Sequence, residues 1–243
     1  MRVGIIGGTG PLGRGLAMRL GAAGVEVVLG SREASRAAEV AGELGEAIRT
    51  AISAAKRLPE GAANEGAAAC DLVIVATPWD AAVATVAPLA GILSGKVVIS
   101  VANALVRQGR EMQALFPSRG SIAAAVQASL PSSMVAAACQ HLPAGDLADL
   151  SLTLDADVLV CSDHPAAVTA ASELLGHIEG LRPLDAGRLA SAAPIEAFTA
   201  VLVSLNIRYK AHATLRLGGI DTQPSEAKGT GRGSGPADGA GSR

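Results

Sequence analysis

A glycine cluster, Gly7-Gly8-Thr9-Gly10-Pro11-Leu12-Gly13, directly follows the apolar run Arg2 to Ile6 and precedes Leu16, Met18 and Leu20 at amphipathic spacing. Strand, glycine turn and helix is the reading. Gly8-Thr9-Gly10-Pro11-Leu12-Gly13 fits G-x-G-x-x-G. In that pattern Gly8 permits the tight turn, Gly10 lets a pyrophosphate approach the backbone, and Gly13 lets helix and strand pack closely. The helix N-terminus then offers amide donors to a phosphate. The competing reading is a glycine turn with a purely structural role.

The rest of the chain continues this opening. Val25 to Gly30 is a second apolar run, and the Ala, Glu and Arg-rich stretch after it has helical composition to about Ile52. Asp71 to Thr77 and Lys96 to Val101 are continuous apolar runs, as expected of strands buried on both faces. Ala81 to Leu93 suits a crossover helix interrupted at Pro88. A helix to about Leu130 and the run Met134 to Cys139 follow, and the loop Gln140 to Gly145 closes the unit. Beyond it, Asp157 to Cys161 and Leu181 to Leu184 are short strands around a helix from Pro165 to about Ile178. A long helical stretch, with a possible break, is expected from Leu189 to about Arg216. It places Ile195, Phe198, Leu202, Leu205 and Tyr209 on one apolar face, suited to packing on a neighbouring domain or a partner.

The fold class is therefore α/β: a Rossmann-type doubly wound parallel sheet with a smaller C-terminal α/β domain. Its divisions are residues 1–150 for dinucleotide binding, 151–220 for the smaller domain and 221–243 for a disordered tail without large apolar residues.

The end of the second strand selects the dinucleotide. An Asp or Glu for the ribose 2′-hydroxyl is absent there; the chain has Gly30-Ser31-Arg32, with Arg36 one turn on. A hydroxyl and two guanidinium groups suit a 2′-phosphate, which favours NADP over NAD. Against this stands the reading of Arg32 and Arg36 as solvated charges, with Glu33 beside them.

Other chemistries are tested by what the chain lacks. A formal net charge of −2 and 2% aromatic residues argue against nucleic-acid binding. Gly120 to Gly145, the longest stretch free of acidic and basic residues, holds Gln127, Pro131, Ser132, Ser133 and His141, so no membrane span is expected. Cys70, Cys139 and Cys161 form no metal-ligand spacing and suit buried positions in a reducing cytoplasm. Tyr209 has Ala213 four residues on, and Lys210 has Thr214, so neither a Tyr-x-x-x-Lys nor a Lys-x-x-x-Asn pair is present. What remains is a chemistry of two cofactors held face to face, which works by orientation and needs neither nucleophile nor metal.

The sequence resembles the family of NADPH-dependent reductases of the deazaflavin coenzyme F420. The resemblance rests on Gly7 to Ala17, Gly30-Ser31-Arg32, Thr77-Pro78-Trp79, Gly180 to Gly187 and Leu205 to His212, in order over residues 1–220. It implies that Thr9, Gly10, Pro11 and Leu12 hold the pyrophosphate and that Ser31, Arg32 and Arg36 hold the 2′-phosphate. It further implies that Trp79 and Val83 line the NADP pocket and that the backbone of Ala144 meets the nicotinamide. Trp79 also has a packing reading. The deazaflavin would be bordered by Asn103, Gln140, His141 and Leu217. No catalytic residue is fixed by this, and no metal is implied. Gln140 stands where relatives carry His, and Ala104 where many carry Pro. Gln cannot carry a proton near neutral pH, so His141 either takes that role or braces the loop.

The expected function is hydride transfer between NADP(H) and F420 by a cytoplasmic homodimer with small-molecule partners only. The alternatives are an NADPH-dependent reductase of a flavin, imine or metal chelate, and a non-catalytic NADP(H) sensor.

Overall fold

The computed structural model describes residues 1–220 apart from Lys56; the tail expected over 221–243 lies outside the described residues. The chain alternates β1 (Arg2–Ile6), α1 (Pro11–Ala22), β2 (Glu26–Ser31), α2 (Ala34–Ala51), β3 (Glu60–Ala63), α3 (Asn64–Ala68) and β4 (Leu72–Val75). Next come α4 (Ala82–Val86), a 3₁₀ turn carrying Pro88, α5 (Ala90–Leu93), β5 (Val97–Ser100), the strands β6 (Leu105–Gln108) and β7 (Glu111–Ala114), and α6 (Ile122–Ser129). The last elements are β8 (Met134–Ala137), α7 (Ala144–Ala148), β9 (Ala156–Ser162), α8 (Pro165–Gly176), β10 (Leu181–Asp185) and α9 (Ala192–Tyr209).

Eight strands form one sheet in the order β10-β9-β8-β5-β4-β1-β2-β3. All neighbours are parallel except β8 and β9, which meet antiparallel through Ala136 with Ser162 and Ala137 with Cys161. Residues 151–220 thus extend this sheet through β9 and β10. The apolar runs explain the layering, because alternate side chains face opposite sides of a strand. Val3, Ile5, Leu72, Ile74 and Ile99 pack with α1, α2 and α8. Ile6, Val73, Val75, Val98 and Val135 pack with α3 to α6 on the other side.

The expected crossover helix over Ala81 to Leu93 is indeed interrupted around Pro88, which has no N–H to continue the α-helical ladder. β3, α3 and the β6–β7 hairpin were not legible as periodic apolar runs. The C-terminal expectation needs correction: the helix ends at Tyr209 and does not reach Arg216. Lys210 adopts a left-handed φ of 51°, and the Asn206 side chain accepts a hydrogen bond from the Ala213 amide at 2.6 Å. These two features turn the chain into an extended strap over 211–217.

Within α9, Ile195 and Leu202 are buried, whereas Phe198, Val201, Leu205 and Tyr209 are exposed. The stretch Leu189–Tyr209 is long and apolar enough to cross a membrane by length and composition. It also carries Glu196, a buried residue whose carboxylate accepts from the Ile122 and Ala123 amides at 2.8 and 3.1 Å. Glu196 caps α6 from a neighbouring helix, and burial pushes its carboxyl up to about 7. The folded state therefore holds the proton more tightly than the unfolded chain. Its contribution to stability is complete below about pH 4.5 and falls as pH rises through about 7. Glu196→Gln is expected to flatten this part of the pH dependence, as read by thermal melts between pH 5 and 8.

Candidate dinucleotide and acceptor site

A cleft of about 800 Å³ opens at the C-terminal ends of β1, β2, β4 and β5. It lies where the strand order reverses between β1 and β4, the position at which open α/β sheets leave a crevice. The glycine turn forms its floor. Gly7 has φ +70°, and a Cβ there would stand 2.7 Å from Thr77 Cγ2. Gly8 and Gly13 lie behind the floor: a Cβ on Gly13 would approach Gly8 Cα to 2.7 Å, so these two fix helix against turn. Thr9, Gly10, Pro11 and Leu12 line the cleft. Gly10 caps α1 without any side-chain hydrogen bond, and the Leu12 and Gly13 amides have no carbonyl within the helix to meet. Those open donors suit an anion.

At the end of β2, Ser31 and Arg32 line the cleft. Arg32 is exposed and makes no ion pair among the described residues. Arg36 differs: its guanidinium bonds Glu39 at 2.6 Å, and it is not part of the lining. The opposite wall includes Thr77, Pro78 and Trp79. Val83 lies on α4, outside this wall. Asn64 also lines the cleft and accepts from the Gly7 amide at 3.3 Å. Its role was invisible in the sequence, because α3 carries no motif. Thr77 opens the Thr77-Pro78-Trp79 segment of the family resemblance, and its hydroxyl is buried without a partner among the described residues. Buried polar atoms are nearly always satisfied, so a polar ligand atom at the cleft suits this hydroxyl.

Asn103 and Ala144 line the cleft beyond β5. The Asn103 amide nitrogen donates to the Gln140 carbonyl at 2.7 Å, so its oxygen remains as an acceptor. Thr199 of α9 approaches the same carbonyl at 3.4 Å. Cys139 takes a left-handed φ of 66°, and burial pushes its thiol up to about 12. Gln140 follows that turn with both amide atoms buried and, among the described residues, unpartnered. His141 is braced: its Nε2 bonds the Asp157 carbonyl at 2.7 Å, which places the proton on Nε2. Burial lowers its pKa, so the ring is neutral at pH 7. Gln140, His141 and Leu217 do not line the cleft. Leu217 is fastened through its amide to Asp157 at 2.6 Å and through its carbonyl to Arg182 at 2.6 Å.

The orphaned Gln140 amide yields a separable prediction. An unsatisfied buried amide costs about 1–3 kcal/mol, and an apolar replacement of similar shape removes that cost. Gln140→Met is expected to raise the melting temperature of the ligand-free protein, as read by thermal melts. A variant that melts lower shows that the amide is satisfied in solution.

The possible ligand chemistries are bounded by these groups. Among the described residues, no three His, Cys, Asp or Glu side chains converge as a metal site. The open amides, the unpaired Arg32 and the Thr77 hydroxyl fit a phosphorylated dinucleotide.

Comparison with known proteins places this geometry. Residues 2–104 match the family described as NADP oxidoreductase, coenzyme F420-dependent. The F420-dependent NADP reductase of Methanocaldococcus jannaschii is 36% identical over 219 residues, covering 88% of this chain and 96% of that protein. The F420-dependent NADP reductase of Methanothermobacter thermautotrophicus is 35% identical over 230 residues, covering 92% and 97%. A crystal structure from Arthrobacter sp. FB24, named for an F420-dependent NADP-reductase, superposes with a TM-score of 0.70 at 22% identity, covering 87% of this chain and 96% of that one. The last likeness concerns the fold. The two archaeal likenesses run nearly end to end in both partners, and on that ground the chain belongs to the F420-dependent NADP reductase family.

Proposed function

We propose that the protein transfers a hydride between NADP(H) and coenzyme F420. The observation that carries this reading is the cleft at the strand-order reversal, with open amides at one end and unpaired Arg32 beside Ser31, in a chain of this family. When bound, NADPH supplies a hydride at nicotinamide C4 and F420 accepts it. Thr9 to Leu12 hold the pyrophosphate, Ser31 and Arg32 hold the 2′-phosphate, Trp79 lines the NADP pocket, and the backbone of Ala144 meets the nicotinamide. Arg36 joins the phosphate contacts only by leaving Glu39. Asn103 offers its oxygen to a donor on either ring system. The acceptor side is backed by His141 and by the strap carrying Leu217, both fastened to Asp157. The proton that balances the hydride is left to the cofactor, a loop side chain or solvent; the chain contributes alignment and exclusion of water.

A second reading, reduction of a flavin, imine or metal chelate, follows from Gln140 and Ala104, the two departures from the residues of the family on the acceptor side. Purified protein mixed with NADPH and F420, FMN or no acceptor distinguishes them optically. Oxidation specific to F420 is expected. Faster turnover with FMN favours the second reading, and binding of NADPH without any turnover indicates a sensor.

The exposed side of α9, with Phe198, Val201 and Leu205, is read as the contact with a second copy in a cytoplasmic homodimer. Its border carries the Arg208–Glu111 ion pair, which suits a protein partner better than lipid tails. Val201→Glu is expected to halve the particle mass in light scattering. An unchanged mass places the contact elsewhere, and wild type that sediments with vesicles argues for a membrane.

A further inference from the structure

The face of α1 behind the glycine turn carries two features that phosphate binding does not use. Gly15 is buried, and a Cβ there would stand 2.7 Å from Leu147 Cβ and 3.0 Å from the Ala144 carbonyl. One turn further, Arg19 donates from Nε to the Leu147 carbonyl at 3.1 Å. Its Nη2 donates to the carbonyls of Asp146, Asp149 and Leu152 at 2.7, 2.5 and 2.9 Å. The guanidinium is thus spent on main-chain oxygens, and its burial lowers its pKa.

The recipients are α7, a helix of five residues that supplies the Asp146 and Leu147 carbonyls, and the turn directly after it, which supplies those of Asp149 and Leu152. A helix that short does not hold its own geometry, and its terminal carbonyls have no partner within it. Arg19 supplies those partners from outside. On another side, His212 of the strap bonds Asp146. The position of α7 is therefore set by α1 and the strap, and its first residue, Ala144, is a wall of the cleft. The same α1 begins at the phosphate end of that cleft, so one rigid helix gauges the distance between its two ends.

We infer that Gly15 and Arg19 are positioning residues: they hold α7 against α1 at the separation that places Ala144 beside the nicotinamide and aligns it for hydride transfer. The inference rests on the reading of the cleft as the NADPH site. It is separate from that reading, since neither residue lines the cleft.

The test compares wild type, Gly15→Ala and Arg19→Lys, the second being a milder change that keeps the charge. Three quantities are measured in each: affinity for adenosine 2′,5′-bisphosphate, affinity for NADPH, and the hydride-transfer rate at saturating NADPH and F420. The bisphosphate lacks the nicotinamide half and reports the phosphate end alone. In at least one variant its affinity is expected to stay within about 2-fold while the transfer rate falls by about 10-fold or more, because displacements near 1 Å are costly to alignment. An unchanged rate in both variants overturns the inference. So does a bisphosphate affinity that falls in step with the rate, or two variants that both fail to fold, since the contact then serves the fold as a whole. If wild type binds the bisphosphate and NADPH but both variants transfer the hydride at the wild-type rate, the site reading stands and the positioning role falls. If wild type binds neither, the site reading itself fails.

Discussion

Replacing Arg32 by alanine is expected to weaken NADPH binding by about 10- to 100-fold while leaving NADH within about 2-fold. A hydrogen bond to a charged group contributes about 1.5–3 kcal/mol, and each 1.4 kcal/mol is about tenfold in affinity. Arg32 lines the cleft beside Ser31 and has no ion pair among the described residues, so its charge is free for a 2′-phosphate. Arg36→Ala is expected to do less, because its guanidinium is bonded to Glu39. Paired titrations with NADPH and NADH read the difference. Equal losses for both dinucleotides would show that Arg32 serves the fold or the pyrophosphate and not the 2′-phosphate.

Asp157→Ala is expected to be the most destabilising of the changes considered, at about 3 kcal/mol. Asp157 is fully buried and receives Arg182 at 2.6 and 2.8 Å, Arg216 at 3.0 Å and the Leu217 amide at 2.6 Å. Removing one partner of a buried pair costs about 3–5 kcal/mol. The lower end applies here because Arg216 is half-exposed and screened by water. For a chain of this size the loss corresponds to a fall in melting temperature of roughly 6–12 °C. The Arg182 guanidinium, opposed by burial, holds the Asp157 carboxyl down to about 2. This folded-state value lies below the ordinary carboxylate value of 3.8, so the contribution is present above about pH 4 and is lost as pH falls through about 2. Calorimetry of wild type and Asp157→Ala should therefore converge in acid. A constant gap down to pH 2 would contradict the ionic account.

Asp157 also shows where sequence reading stops. The first strands, their parallel order and the glycine turn were legible, because β1, β4 and β5 are buried on both faces and read as unbroken apolar runs. Thr9 to Leu12, Ser31 and Arg32 were legible because main-chain geometry and charge place them without reference to distant residues. β3 and α3, from Glu60 to Ala68, were not: they are built from Gly, Ala, Asn and Glu without a large apolar residue, and their form is set by packing against β1 and β2. The C-terminal strap was read as helix because its composition permits one. The left-handed turn at Lys210 and the pull of Asp157, more than fifty residues away, decide otherwise. On the acceptor side, the single residue His141 had two readings, and only its bond to the Asp157 carbonyl assigns it to bracing.

The central claim is direct transfer between two rings aligned in one cleft. NADPH carrying deuterium at the transferring C4 position, mixed with enzyme and oxidised F420, tests it by mass spectrometry of the reduced deazaflavin. The account predicts that the label is retained on the deazaflavin carbon in a single turnover, since the hydride passes from carbon to carbon without exchanging with water. Label found in the solvent, or unlabelled reduced product, would contradict it.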